Sequence, residues 1–142
     1  HYRQSIEPDD QVSELYRDVF LYHWKEESQH AILDELEWLR EDAKLSKAER
    51  DAAVEDLIAL VGAVDGILQG QSRADADYFA SIVDRPLTEA QQEALRASVL
   101  QAYRWQYIVS GVQEPRFQQV LGSLVDAEQS ARIGQALAPL LA

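Results

Sequence analysis

His23, Glu27 and His30 stand four and three residues apart in a stretch with a helical period. At 3.6 residues per turn they fall within roughly 60° of arc, and Asp34, one turn further on, lies in the same arc. One helix face thus offers two imidazoles and two carboxylates, a donor set that suits iron, manganese and zinc alike. The chain has three histidines and no cysteine. Thiolate zinc sites, disulfides and cysteine nucleophiles are therefore excluded, and any metal is held by nitrogen and oxygen alone. The expected ligands are His23, Glu27 and His30, with Asp34 and Asp65 as secondary candidates. The competing reading makes the same residues a hydrogen-bonded polar layer inside a bundle, or a solvated face whose acids are surface charges. A zincin pattern fits less well, because its two histidines stand four apart around a glutamate, and here they stand seven apart. A mononuclear zinc site using Asp34 is a further arrangement, tetrahedral at about 2.0 to 2.2 Å.

These side chains must be positioned by a helix expected from about Asp10 to Ala43, entered through Pro8-Asp9-Asp10, where proline suits a first turn and aspartate a cap. Its apolar residues are spread around the axis: Tyr16, Val19 and Phe20 near the histidines, Leu15, Tyr22 and Leu33 to one side, Trp24 and Ala31 to the other. That distribution predicts a helix buried on most sides. Imidazole and carboxylate buried without partners lose their hydration and gain nothing, so a metal or a hydrogen-bond network must satisfy them.

The remaining chain is also helical in period. Ser46-Lys-Ala-Glu49 reads as a capping box opening a second helix to at least Gln69, with Gly70 as a candidate break and a helical segment from Ser72 to Val83 beyond it. Thr88-Glu-Ala-Gln91 is a second capping box, opening a helix to Ser110 that Gly111 would stop. Pro115 suits a first turn, and a last helix carries Phe117, Val120, Leu121, Leu124, Val125, Ile133, Leu137 and Leu140, ending around Pro139. No strand pattern, repeat or low-complexity linker interrupts this. The expectation is an all-α helical bundle of four to five helices with short connections, a single domain over residues 1–142.

A chain of 142 residues buries a substantial core without a metal staple, so stability alone does not call for one. The formal charge of −12 and pI near 4.5 argue against nucleic acid and anionic membranes, both of which need basic patches. No apolar run reaches the roughly 18 residues of a spanning helix, and HYRQSIEPDD is too polar for a signal peptide, so a cytoplasmic location is expected. There is no phosphate loop, no nucleophile elbow, and no serine placed with both a base and an orienting acid.

Three further features carry weaker readings. Asp65 lies in the apolar stripe of Val54, Leu57, Ile58, Val61 and Leu68, where an inward-pointing carboxylate is either a ligand or, more often, the partner of an arginine or tyrosine such as Arg104 or Tyr103. Asp75 and Asp77 are expected to face water. The aromatic run Tyr103, Trp105, Tyr107 with Ile108 suits a helix–helix interface better than a substrate cavity. The last helix suits either a dimer contact or the cover of the bundle.

Residues 22–31, YHWKEESQHA, resemble the last ligand helix of a ferritin-like di-iron carboxylate protein. That superfamily carries Glu-x-x-His on a bundle helix, which Glu27 and His30 match. The added His23 resembles the branch typified by p-aminobenzoate N-oxygenase, whose helix carries His-x3-Glu-x2-His. The resemblance covers about residues 1–42. It implies a ferritin-like bundle in which Glu27 bridges two irons while His23 and His30 each complete one. It further implies an oxidoreductase or oxygenase that activates dioxygen and oxidises a small organic substrate such as an amine. Such a site also needs a glutamate from a preceding helix and a glutamate plus a second Glu-x-x-His from an earlier hairpin; this chain has no second Glu-x-x-His. His1-Tyr2-Arg3 looks like the tail of the preceding ligand helix. With no methionine in the sequence, this predicts the C-terminal part of a longer ferritin-like protein; separately, a homodimer is expected.

Overall fold

The computed structural model describes residues 2–140, apart from the side chain of Gln4. It is all-α, and the chain divides into two compact units, residues 1–47 and 48–142.

The first unit is a π-helical turn, Tyr2–Ile6, followed by helix α1, Glu14–Asp42. Helix α1 begins later than Pro8-Asp9-Asp10 suggests, because the Ser13 hydroxyl accepts from the Tyr16 amide at 3.2 Å and takes the capping role. Tyr2, itself buried, stacks on Trp24 with ring centroids 5.8 Å apart, and the Arg3 guanidinium lies 4.6 Å from the Trp24 centroid. These contacts tie the N-terminal turn to the middle of α1.

Contrary to the burial expected for it, α1 has no buried residue. Its half-buried residues, among them Arg17, Phe20, Trp24 and Ser28, form one strip centred on Trp24. Leu15, Val19, Tyr22, Leu33 and Leu36 are exposed instead. Pairs three and four apart support so open a helix: Arg40 with Glu37, and Lys44 just beyond it with both Glu41 oxygens at 2.6 and 2.7 Å. At 29 residues it also exceeds the length below which isolated helices are marginal, about 12 to 15 residues.

The second unit is a helical bundle built on α2, Lys47–Ile82, which runs unbroken through Gly62, Gly66 and Gly70. Glycine inside a helix costs only about 1 kcal/mol, and the buried stripe of Val54, Asp65, Leu68, Ser72 and Ala76 continues across Gly70 without losing phase. Helix α3, Glu89–Arg104, opens on the expected capping box: the Thr88 hydroxyl accepts from the Gln91 amide at 3.3 Å, and the Gln91 side-chain oxygen accepts from the Thr88 amide at 3.0 Å. The same rod continues through a π-helical turn, Trp105–Val109, and a last turn, Ser110–Val112. Gly111 does not stop it, since no glycine takes the left-handed conformation. The stop lies at Glu114, extended because it precedes Pro115.

The last helical region is two helices rather than one. Helix α4 is Pro115–Leu124 and α5 is Ala127–Leu137, trailed by a 3-10 turn, Ala138–Leu140. Asp126 divides them through a third capping box, its carboxylate accepting from the Gln129 amide and the Gln129 side chain from the Asp126 amide, both at 2.9 Å. Val120 and Ile133 are buried, and these two helices cover the bundle.

Antiparallel packing of α2 and α3 is marked by polar pairs in reversed order. Arg96 binds Asp77 at 2.6 Å, Tyr103 donates to Asp75, and Arg104 grips Asp65. At the other end of α2, Arg132 of α5 reaches Asp51 at 3.2 Å and Glu55 at 2.5 Å, while Gln129 donates to Asp51 at 2.7 Å. Among the described residues, no helix is long and apolar enough to cross a membrane.

Candidate metal centre

Because α1 is uninterrupted from Glu14 to Asp42, it sets His23, Glu27, His30 and Asp34 along one strip, about 90° around the axis from the Trp24 strip. Glu27 lies between the two histidines and turns a different oxygen to each. Its Oε1 is 3.8 Å from His23 Nε2, and its Oε2 is 3.2 Å from His30 Nδ1. The second ring nitrogen of His30 lies 3.3 Å from Oε1 of Glu26. All four side chains are more than half exposed. Asp34 shares the strip and is exposed.

Ligand atoms of His23, Glu26 and Glu27 lie within 4.8 Å of one another. Two donors on one octahedral ion at about 2.1 Å stand roughly 3 Å apart, closer than the 4.8 Å span of this exposed cluster. Imidazole nitrogen and carboxylate oxygen are the donor types a divalent transition metal takes. Glu26 is the residue that sequence reasoning passed over. Its signal was present, since it stands three residues after His23 and four before His30, both neighbouring positions on a helix.

Asp65 lies elsewhere, on α2 within the second unit. It is 6 % exposed, and Arg104 takes one of its oxygens through Nε at 2.6 Å and the other through Nη2 at 2.9 Å, with Gln69 Nε2 on the second oxygen at 2.6 Å. The Arg104 hydrogen bonds hold its carboxyl below the usual range against the opposing effect of burial, helped by Gln69 and by the guanidinium charge. This is the arginine pairing that its apolar surroundings suggested.

Asp77 pairs with Arg96 and is exposed. Asp75, expected to face water, instead accepts from the Tyr103 hydroxyl and from Gln71 at 2.9 Å. Tyr103 foremost, then Gln71, lowers the Asp75 carboxyl, and the carboxylate in turn raises the Tyr103 phenol. Within the aromatic run, Ile108 is buried, while Tyr107 is exposed and meets Tyr103 edge-on at 6.1 Å.

The second unit also holds an apolar cavity of about 300 Å³, walled by Leu57, Ile58 and Val61 of α2, Phe117 and Leu121 of α4, and Ile133 and Leu137 of α5, with Asp65 at its edge. Its one carboxylate is already committed to Arg104 and Gln69. The cavity brings no imidazole or free acid to a common point. No family model, no curated protein and no solved structure matches the chain.

Proposed function

We propose that this chain is a metal-binding, ferritin-like protein whose helix α1 forms one wall of a dinuclear iron or manganese centre, with His23, Glu27 and His30 as ligands. The observation that carries this reading is the placement of Glu27 between two imidazoles with one oxygen turned to each, at 3.8 and 3.2 Å. His23, Glu27 and His30 would be the residues that hold the metal, through two imidazole nitrogens and a carboxylate. When bound, such a centre supplies dioxygen activation and an oxidant for a small organic substrate. The protein's own part is to hold two neutral imidazoles and an ionised carboxylate on a rigid helix at fixed spacing. The proposal includes a cytoplasmic oxidoreductase or oxygenase role, and the remaining ligands come from outside α1.

Metal analysis of the purified full-length protein tests this. Two iron or manganese ions per chain, lost in His30→Ala, support the reading, and no bound metal after anaerobic iron loading refutes it. The exposure of α1 favours a second reading, a non-catalytic helical interaction module whose His-Glu-His line is only a polar strip. That reading predicts that His23→Leu combined with His30→Leu leaves stability unchanged or higher, with or without metal ions. Stability that the substitutions reduce only when metal is present excludes it.

A further inference from the structure

The cavity of the second unit has room for a guest, and its walls say of what kind. It measures about 300 Å³ and is almost wholly hydrocarbon, with Ile58, Phe117, Leu121 and Leu137 among its lining residues. Water gains little there, because an ordered water needs about two to four polar partners, and the one charged group in the wall is the Asp65 carboxylate. Apolar side chains that face unfilled space forgo dispersion contacts. The sequence nonetheless leaves the space open. Helix α2 contributes Gly62 to the wall and α5 contributes Ala136, although a Cβ at Gly62 would meet nothing within 4 Å.

Asp65 selects the polar part of the guest. An ionised carboxylate offers about four acceptor sites. Arg104 Nε occupies one on Oδ1 at 2.6 Å, while Arg104 Nη2 at 2.9 Å and Gln69 Nε2 at 2.6 Å occupy both on Oδ2. Oδ1 therefore keeps one site for a further donor. An anion would meet the carboxylate's repulsion, and a cation would find its charge already balanced by Arg104. An uncharged hydroxyl fits, since it donates one hydrogen and brings no charge. Size follows from volume: an apolar cavity of about 150 Å³ takes up benzene, so twice that space suits about ten to twelve non-hydrogen atoms.

We propose that the second unit binds a small uncharged alcohol or phenol in this cavity, its apolar body between α2, α4 and α5 and its hydroxyl donating to Asp65 Oδ1. This site is separate from α1 and does not rest on the metal-binding reading.

Equilibrium dialysis of the full-length protein at pH 7 in EDTA, with the bicyclic phenol naphthol as probe, tests it. Saturable binding of one molecule per chain is expected. Gly62→Leu combined with Ala136→Leu narrows the cavity from opposite walls at two exposed positions and is expected to weaken naphthol binding about ten-fold or more. Its thermal midpoint should be unchanged or higher, because leucine is the better helix former at position 62, which separates loss of binding from loss of fold. Substituting Asp65 would break its pair with Arg104, so the hydroxyl contact is read from the ligand instead. Naphthalene and naphthoate, which have no hydrogen to donate at this pH, are expected to bind about ten-fold or more weakly than naphthol, the scale of a hydrogen bond to a charged group.

An absence of saturable binding below about 1 mM overturns the proposal. So does naphthol binding that the folded double variant leaves intact, since the molecule then lies elsewhere. Naphthalene bound as tightly as naphthol overturns the Asp65 contact and the class of ligand it selects.

Discussion

Arg104→Met tests the polar heart of the second unit. Asp65 is 6 % exposed, and both its oxygens are occupied by Arg104, at 2.6 and 2.9 Å. Removing the guanidinium leaves a buried carboxylate with Gln69 as its one remaining hydrogen-bond donor here. Breaking a buried pair from one side costs about 3 to 5 kcal/mol. Since the Arg104 side chain is itself 24 % exposed, water reaches the site and the lower end, about 3 kcal/mol, applies. With a urea slope of about 2 kcal/mol/M, the unfolding midpoint at pH 7 falls by roughly 1.5 M.

The loss depends on pH in a direction the linkage dictates. Asp65 has its carboxyl lowered in the folded wild type, so the pair's contribution is present above the unfolded value, about 3.9, and is lost as pH falls through the lower folded value. In Arg104→Met the main cause of lowering is gone and burial remains, so Asp65 protonates more readily than before. Once neutral it no longer carries the penalty of a buried charge, and the gap between wild type and variant narrows on acidification. Urea unfolding followed by circular dichroism at pH 7 and near pH 3.5 measures this gap. A loss below about 1 kcal/mol at neutral pH, the scale of an exposed pair, or an equal loss at both pH values, refutes the reasoning.

Gly70→Ala is expected to stabilise the protein by about 0.5 to 1 kcal/mol, because Gly70 lies inside a continuous helix and a methyl group there meets nothing within 4 Å; a lower thermal midpoint would contradict this. Asp126→Ala removes the cap that divides α4 from α5 and is expected to cost about 1 kcal/mol. Chemical denaturation checks it, and an unchanged midpoint would show that the break does not depend on the capping box.

The helical architecture was legible because its signals are local. The Thr88 capping box sits beside Pro86, and the extended residue before Pro115 ends a helix whatever lies elsewhere. The Asp126 cap carries an equally local signal, Asp-Ala-Glu-Gln, but the apolar period running from Leu121 to Ile133 masked it. Gly70 does not break α2, because one glycine costs less than the burial that Leu68, Ser72 and Ala76 secure on either side. The Asp65–Arg104 pair could be anticipated, since an acid inside an apolar stripe needs a counter-charge and few cations lay within reach. Burial of α1 could not be read in the same way. Periodicity shows which residues share a side of a helix and says nothing of what stands opposite them. Aromatic residues spread around α1 therefore suggested enclosure, where the structure shows one half-buried strip and open flanks.

Helix α2 links the two ends of the second unit. The contacts with α5 at Asp51 and with α3 at Asp77 stand 26 residues apart, roughly 39 Å at 1.5 Å per residue. Between them Gly62, Gly66 and Gly70 follow one another every fourth residue, with open space where side chains would lie. That strip is exposed at all three positions and carries no packing from another element. Alanine at any of the three positions therefore adds helix propensity along α2 without displacing a neighbouring atom.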